Sequence, residues 1–151
     1  MALAVPVADA SGMILMARVL VVDDNRGILS LLREILEGHG HKVSLAANGA
    51  EALEVARQKL PDLLITDLKM PVMDGPELCR HWQADDRLRQ RPIILFSAHP
   101  PRPSDQALVV DLRAERLLAK TASVKAFVRT VDEVLEQHEV QDACAPPFPD
   151  P

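Results

Sequence analysis

Short apolar runs and longer amphipathic stretches alternate along this chain with a regular beat. Arg18–Asp23 (RVLVVD) is a β-branched apolar run closed by acids, the pattern of a strand buried on both faces. Ile28, Leu31, Leu32, Ile35 and Leu36 then share one face of a helix over residues 26–38, which Gly38 and Gly40 terminate. His41–Ala46 (HKVSLA) reads as a second strand, and Ala50–Gln58 as a second helix with Leu53 and Ala56 turned inward. Leu63–Thr66 (LLIT) is a third strand ending at Asp67, and a third helix starts near Asp74 with Leu78 and Trp82 on its inner face. Pro92–Ser97 (PIILFS) is the fourth strand. A Pro-rich loop leads to a weaker helix over Ser104–Arg113, then to a short strand, Arg116–Ala119. The last helix, Val124–His138, sets Val124, Phe127, Val128, Val131, Val134, Leu135 and His138 on one face.

Five strand–helix units predict a parallel sheet with helices on both faces, because parallel strands need crossovers and those are right-handed. The ends of the chain break the pattern. Residues 1–17 are apolar but interrupted by Pro6, Asp9, Ser11 and Gly12, and they lack the basic start of a signal peptide. They read as a poorly ordered leader. From Gln141 the chain runs QDACAPPFPDP, so residues 141–151 read as a disordered Pro-rich acidic tail. One domain is left, over residues 18–140.

Composition narrows the function. With 151 residues, 48% apolar and 26% charged, the chain is an ordinary globular domain, not a collagen-like chain or a disulfide scaffold. Its 17 basic residues face 22 acidic ones, a net charge of −5, so no direct nucleic-acid partner is expected. Cys79 and Cys144 lie far apart with no metal spacing, which points to a reducing cytoplasm. No apolar run reaches the ~18 residues of a membrane span, so no insertion into a membrane is expected. The glycines at 38, 40, 49 and 75 lack the spacing of a phosphate loop, which disfavours a nucleotide enzyme. His39, His41 and His81 read as surface residues, Cys79 as packing, and Glu133, Glu136 and Glu139 as a solvated face.

The chemistry is at the strand ends, where open α/β sheets collect their functional groups. The first strand ends in Asp23-Asp24, the third in Asp67 and the fourth in Ser97, and Lys120 follows the fifth. Singly, each is bland: an Asp pair after a strand is usually a solvated turn, and a lone Ser or Lys in a loop means little. Together they bring three carboxylates, a hydroxyl and an ammonium to one edge of the sheet. Crowded carboxylates repel unless a cation joins them. Mg²⁺ held by one or two carboxylates plus phosphate oxygens resolves the conflict. A carboxylate beside such an ion, with an ammonium and a hydroxyl in reach, is equipped to accept a phosphoryl group.

The stretches VLVVDDN (19–25), LLITDLKMPVMDG (63–75), IILFSA (93–98) and LLAK (117–120) resemble the receiver domain of two-component response regulators. The resemblance covers about residues 18–140. It implies a flavodoxin-like, doubly wound sheet of five parallel strands in the order 2-1-3-4-5, with five helices. It implies Asp67 as phosphoacceptor, and Asp23, Asp24, Asp67 and the Lys69 backbone carbonyl as a Mg²⁺ site. Ser97 resembles the hydroxyl that turns toward the phosphoryl group, and Lys120 its ammonium partner. The implied donor is a sensor histidine kinase or a histidine phosphotransfer protein. Output would run through protein contacts, and the only catalysis would be acceptance and hydrolysis of the domain's own phosphoryl group.

Three positions depart from the family pattern. Thr121 follows Lys120 where the family has a proline behind a cis bond. A cis bond before a non-proline costs ~2.5–4 kcal/mol, so a trans bond and a slight displacement of Lys120 are expected. Leu117 stands where the family has Tyr or Phe, and the loop after Ser97 carries Pro100, Pro101 and Pro103. These departures keep open a second reading, a receiver-like binding module that works without phosphorylation. A third, a Mg²⁺-dependent phosphatase with Asp67 as nucleophile, finds Lys69 where its general acid would stand.

Overall fold

The computed structural model describes residues 16–98 and 102–144. The elements run β1 (Arg18–Val22), α1 (Arg26–Gly38), β2 (Lys42–Ala46), α2 (Gly49–Gln58), β3 (Leu63–Asp67), α3 (Gly75–Ala84), β4 (Ile93–Ser97), α4 (Pro103–Leu112), β5 (Arg116–Ala119) and α5 (Val124–Cys144). All neighbouring strands pair in parallel, in the order β2-β1-β3-β4-β5. This is the flavodoxin-like topology. Chain progression reverses between β1 and β3, so a crevice opens at their carboxyl ends.

Alternation along the strands builds two cores. Val19, Val21 and Ile65 face α1 and α5, where they pack with Leu32, Leu36, Phe127 and Val131. Leu20, Val22 and Leu64 face the other way and pack with Leu53, Leu78 and Trp82 of α2 and α3. Side chains seal the helix starts above the strand ends. Asn25 accepts from the Gly27 and Ile28 amides, Asn48 from Glu51, and Asp74 from Glu77. These caps fix the β1–α1, β2–α2 and β3–α3 turns around the crevice. Among the described residues, no helix is long and apolar enough to cross a membrane.

Several expectations change. Leu31 is 48% exposed, and Leu29 is buried in its place. At ~100° per residue, Leu31 lies ~100° from the centre of the buried arc and Leu29 only ~60°. Val124 is also exposed, at the very start of α5. That helix runs past His138 to Cys144, four residues into the predicted tail. Gln141–Cys144 contains no proline, and the first helix-breaking one is Pro146. His41 is no surface residue: it is 5% exposed, and its Nδ1 accepts the Ala17 amide at 3.2 Å. Burial, with some help from the charge of His39, holds its pKa below the ordinary histidine value. Cys79 is buried as expected, and desolvation pushes its thiol up to about 12. Residues 1–15, Pro100, Pro101 and the chain after Cys144 lie outside the described residues.

Candidate functional site

The crevice is built from the ends of β1, β3, β4 and β5. Asp23 follows β1 directly, and its amide donates to the Ala46 carbonyl at 3.1 Å, extending the β1–β2 ladder by one residue. That bond holds the Asp23 side chain inside, 1% exposed. Its Oδ1 accepts the Asn25 amide at 2.9 Å, which aims the turn into α1. Its Oδ2 pairs with Lys120 Nζ at 2.7 Å. Asp24 is exposed at the mouth.

Asp67 is the last residue of β3 and 7% exposed. Its Oδ1 accepts the Leu68 amide at 2.8 Å, and its Oδ2 stands 3.2 Å from Lys120 Nζ. Lys120 therefore bridges two buried carboxylates. One oxygen from each of Asp23, Asp24 and Asp67 lies within 4.8 Å of the others. Three carboxylates against one ammonium leave two negative charges in excess. An all-oxygen donor set with an excess of two negative charges fits a hard divalent cation such as Mg²⁺.

The electrostatics agree. Burial pushes the Asp67 carboxyl up, and the charge of Asp23 pushes it further. The ammonium of Lys120 and the Leu68 amide oppose this without cancelling it. Burial alone would lower Lys120, but Asp23 and Asp67 outweigh it and hold the ammonium above its ordinary value. The lysine stays charged.

Two further residues end the surrounding strands. Ser97 closes β4 and is buried, and its carbonyl accepts the Lys120 amide at 2.6 Å, tying the chain after β5 to the site. Lys69 is exposed, one residue beyond the Leu68 amide that holds Asp67. Among the described residues no peptide bond is cis, so Lys120–Thr121 is trans as expected. With this trans bond Lys120 Nζ still reaches both Asp23 and Asp67. Leu117 is half-buried and packs into the core beneath α4.

The reading of the sequence missed what shapes the loop after Asp67. Gly75 looks like a turn residue, yet its role is steric. A Cβ there would meet the Asp67 carbonyl oxygen at 2.3 Å and the Leu68 Cα at 2.9 Å. The missing side chain lets the start of α3 press on the peptide that carries Asp67, and the Gly75 amide donates to the Leu68 carbonyl at 3.0 Å. The left-handed residue of this loop is Val72, with φ 70°, closed by a Met73 amide to Pro71 carbonyl bond of 2.7 Å. Thr66 donates its hydroxyl to the Asp67 carbonyl at 2.9 Å. The Asp74-Gly75 pair was the available signal, but its cause is a contact with β3.

A family model described as the response regulator receiver domain matches residues 19–132. The chain belongs to this family. The receiver domain is 32% identical over 117 residues to the polar-differentiation response regulator DivK of Brucella anthropi, spanning 78% of this chain and 94% of that protein. The chemotaxis protein CheY4 of Vibrio cholerae shares its fold with a TM-score of 0.75 at 29% identity, over 80% of this chain and 99% of that one. The signal receiver domain of a signal transduction histidine kinase from Syntrophus aciditrophicus matches with a TM-score of 0.75 at 28% identity, over 87% and 99% of the two chains.

Proposed function

We propose that this receiver domain is a phosphorylation-dependent switch in a two-component phosphorelay, with Asp67 as its phosphoacceptor. The observation that carries the reading is the Lys120 ammonium spanning Asp23 and Asp67 beside a third carboxylate. The donor is a phosphohistidine on a sensor histidine kinase or a histidine phosphotransfer protein. A carboxylate oxygen of Asp67 forms a bond to phosphorus, the phosphorus–nitrogen bond breaks, and the leaving imidazole recovers a proton from solvent. Lys120 neutralises charge on the phosphoryl oxygens, and the Ser97 hydroxyl donates to one of them. Asp23, Asp24, Asp67 and the Lys69 backbone carbonyl would hold Mg²⁺, which supplies further positive charge to the phosphoryl group when bound.

Catalysis here is confined to accepting the phosphoryl group and losing it to water. Output runs through protein contacts in the cytoplasm. Leu117 and Thr121 alter neither contact of Lys120, so nothing at the site favours a module that works without phosphorylation. Intact-mass spectrometry after incubation with acetyl phosphate and Mg²⁺ tests the reading. The wild-type chain gains ~80 Da, the mass of one phosphoryl group, and Asp67→Ala gains nothing. An unmodified wild-type mass, or an equal gain in the Ala variant, would overturn it.

A further inference from the structure

On α5, Lys125, Arg129, Asp132 and Glu136 follow at spacings of four, three and four residues, so they form one line along the helix. Among the described residues none of the four has an ion-pair partner, whereas their neighbour Glu133 is held by Arg116 at 3.1 Å. Arg129 and Asp132 are three residues apart on one helix and still do not touch. Asp132 is half-buried, and desolvation pushes its carboxyl up; His39 opposes this and Glu136 adds to it. It is a carboxylate short of a cation. Beside the line runs a groove of about 640 Å³ between α5 and the end of α1, lined by His39, Val128 and the exposed Val124.

The order of charges along the line is plus, plus, minus, minus, with its midpoint between Thr130 and Val131. A two-fold axis through that midpoint sets every charge against its opposite. Lys125 of one protomer meets Glu136 of its partner, and Arg129 meets Asp132, each pair occurring twice. We propose that this face of α5 is a self-complementary surface on which a second copy of the chain docks with its α5 antiparallel. One helix line is small beside the ~1,200–2,000 Å² of a stable interface, so the dimer is weak and forms only at high concentration.

Sedimentation velocity on the full chain, from ~10 μM to ~1 mM and at low and high salt, tests this. The wild type forms dimers toward the upper concentrations, and salt diminishes them. Arg129→Asp alone and Asp132→Arg alone each weaken association at least ~10-fold, because each places like charges opposite one another. An equimolar mixture of the two variants recovers the dimer, since every facing pair is again of opposite sign. If circular dichroism shows Asp132→Arg unfolded, the exposed pair Lys125→Glu and Glu136→Lys makes the same exchange. A wild type that stays monomeric at ~1 mM in low salt, single variants that associate like the wild type, or a mixture that stays monomeric would each overturn the proposal.

Discussion

A methyl group on Gly75 would stand 2.3 Å from the Asp67 carbonyl oxygen, and that atom belongs to the backbone carrying the proposed acceptor. Neither side can yield cheaply, since β3 is paired on both edges. Gly75→Ala is therefore expected to lose ~1–3 kcal/mol in urea unfolding, the usual cost of overpacking, and to take up phosphoryl groups more slowly. A variant as stable and as reactive as the wild type would show that α3 can back away freely. Val72 is the opposite case. Its φ of 70° is unfavourable for a β-branched residue, and its exposed side chain packs little. Val72→Gly should raise stability by ~1 kcal/mol, the strain relieved being larger than the added freedom of the unfolded chain. An unchanged or lower urea midpoint would show that the loop stores no such strain.

At the scale of elements, His41 joins three of them. Its amide donates to Leu36 at the end of α1, its ring accepts from Ala17 at the entry to β1, and it leads directly into β2. The ring accepts only while Nδ1 is unprotonated. Its pKa is lowered in the folded chain, so below the unfolded value of ~6.5 the unfolded state binds more protons. Stability is then present above pH ~6.5 and lost as pH falls through the folded pKa. Asp67, whose pKa is raised, works in the opposite sense, so the comparison has to be between variants. His41→Gln keeps an acceptor for Ala17 and removes the titration. Urea midpoints measured from pH 8 to 5 should fall more steeply for wild type than for this variant. Parallel profiles would remove His41 from the pH response.

For the whole molecule, the sheet delivers an excess of two negative charges to one end while the cores stay apolar. A cation that binds only the folded state stabilises it by mass action, ~2.7 kcal/mol at a hundred times its Kd. Mg²⁺ should raise the urea midpoint of the wild type. Asp24→Asn is expected to weaken Mg²⁺ at least ~10-fold by calorimetry, a loss typical even of groups one step removed from a metal. Asp24 is exposed, so the variant should be as stable as wild type, or slightly more, without the ion. Unchanged Mg²⁺ affinity would exclude Asp24 from the site.

The elements and the polar residues that end the strands are local in origin, which is why the amino-acid sequence alone determined them. Runs such as VLVV and IILF are apolar throughout because their strands are buried on both faces, and the polar residues that close them must fall at the sheet edge. Packing decided the rest. Leu29 and Leu31 are chemically identical, and only the direction of approach of the sheet and α5 separates the buried one from the exposed one. His41 is polar by composition and buried because α1, β1 and β2 meet at it. Gly75 owes its identity to a backbone eight residues earlier in the chain. That Lys120 reaches Asp23 and Asp67 together depends on β5 lying two strands from β3, and β4 sets that distance. Side-chain periodicity records which residues face inward, but only the assembled sheet decides what they face.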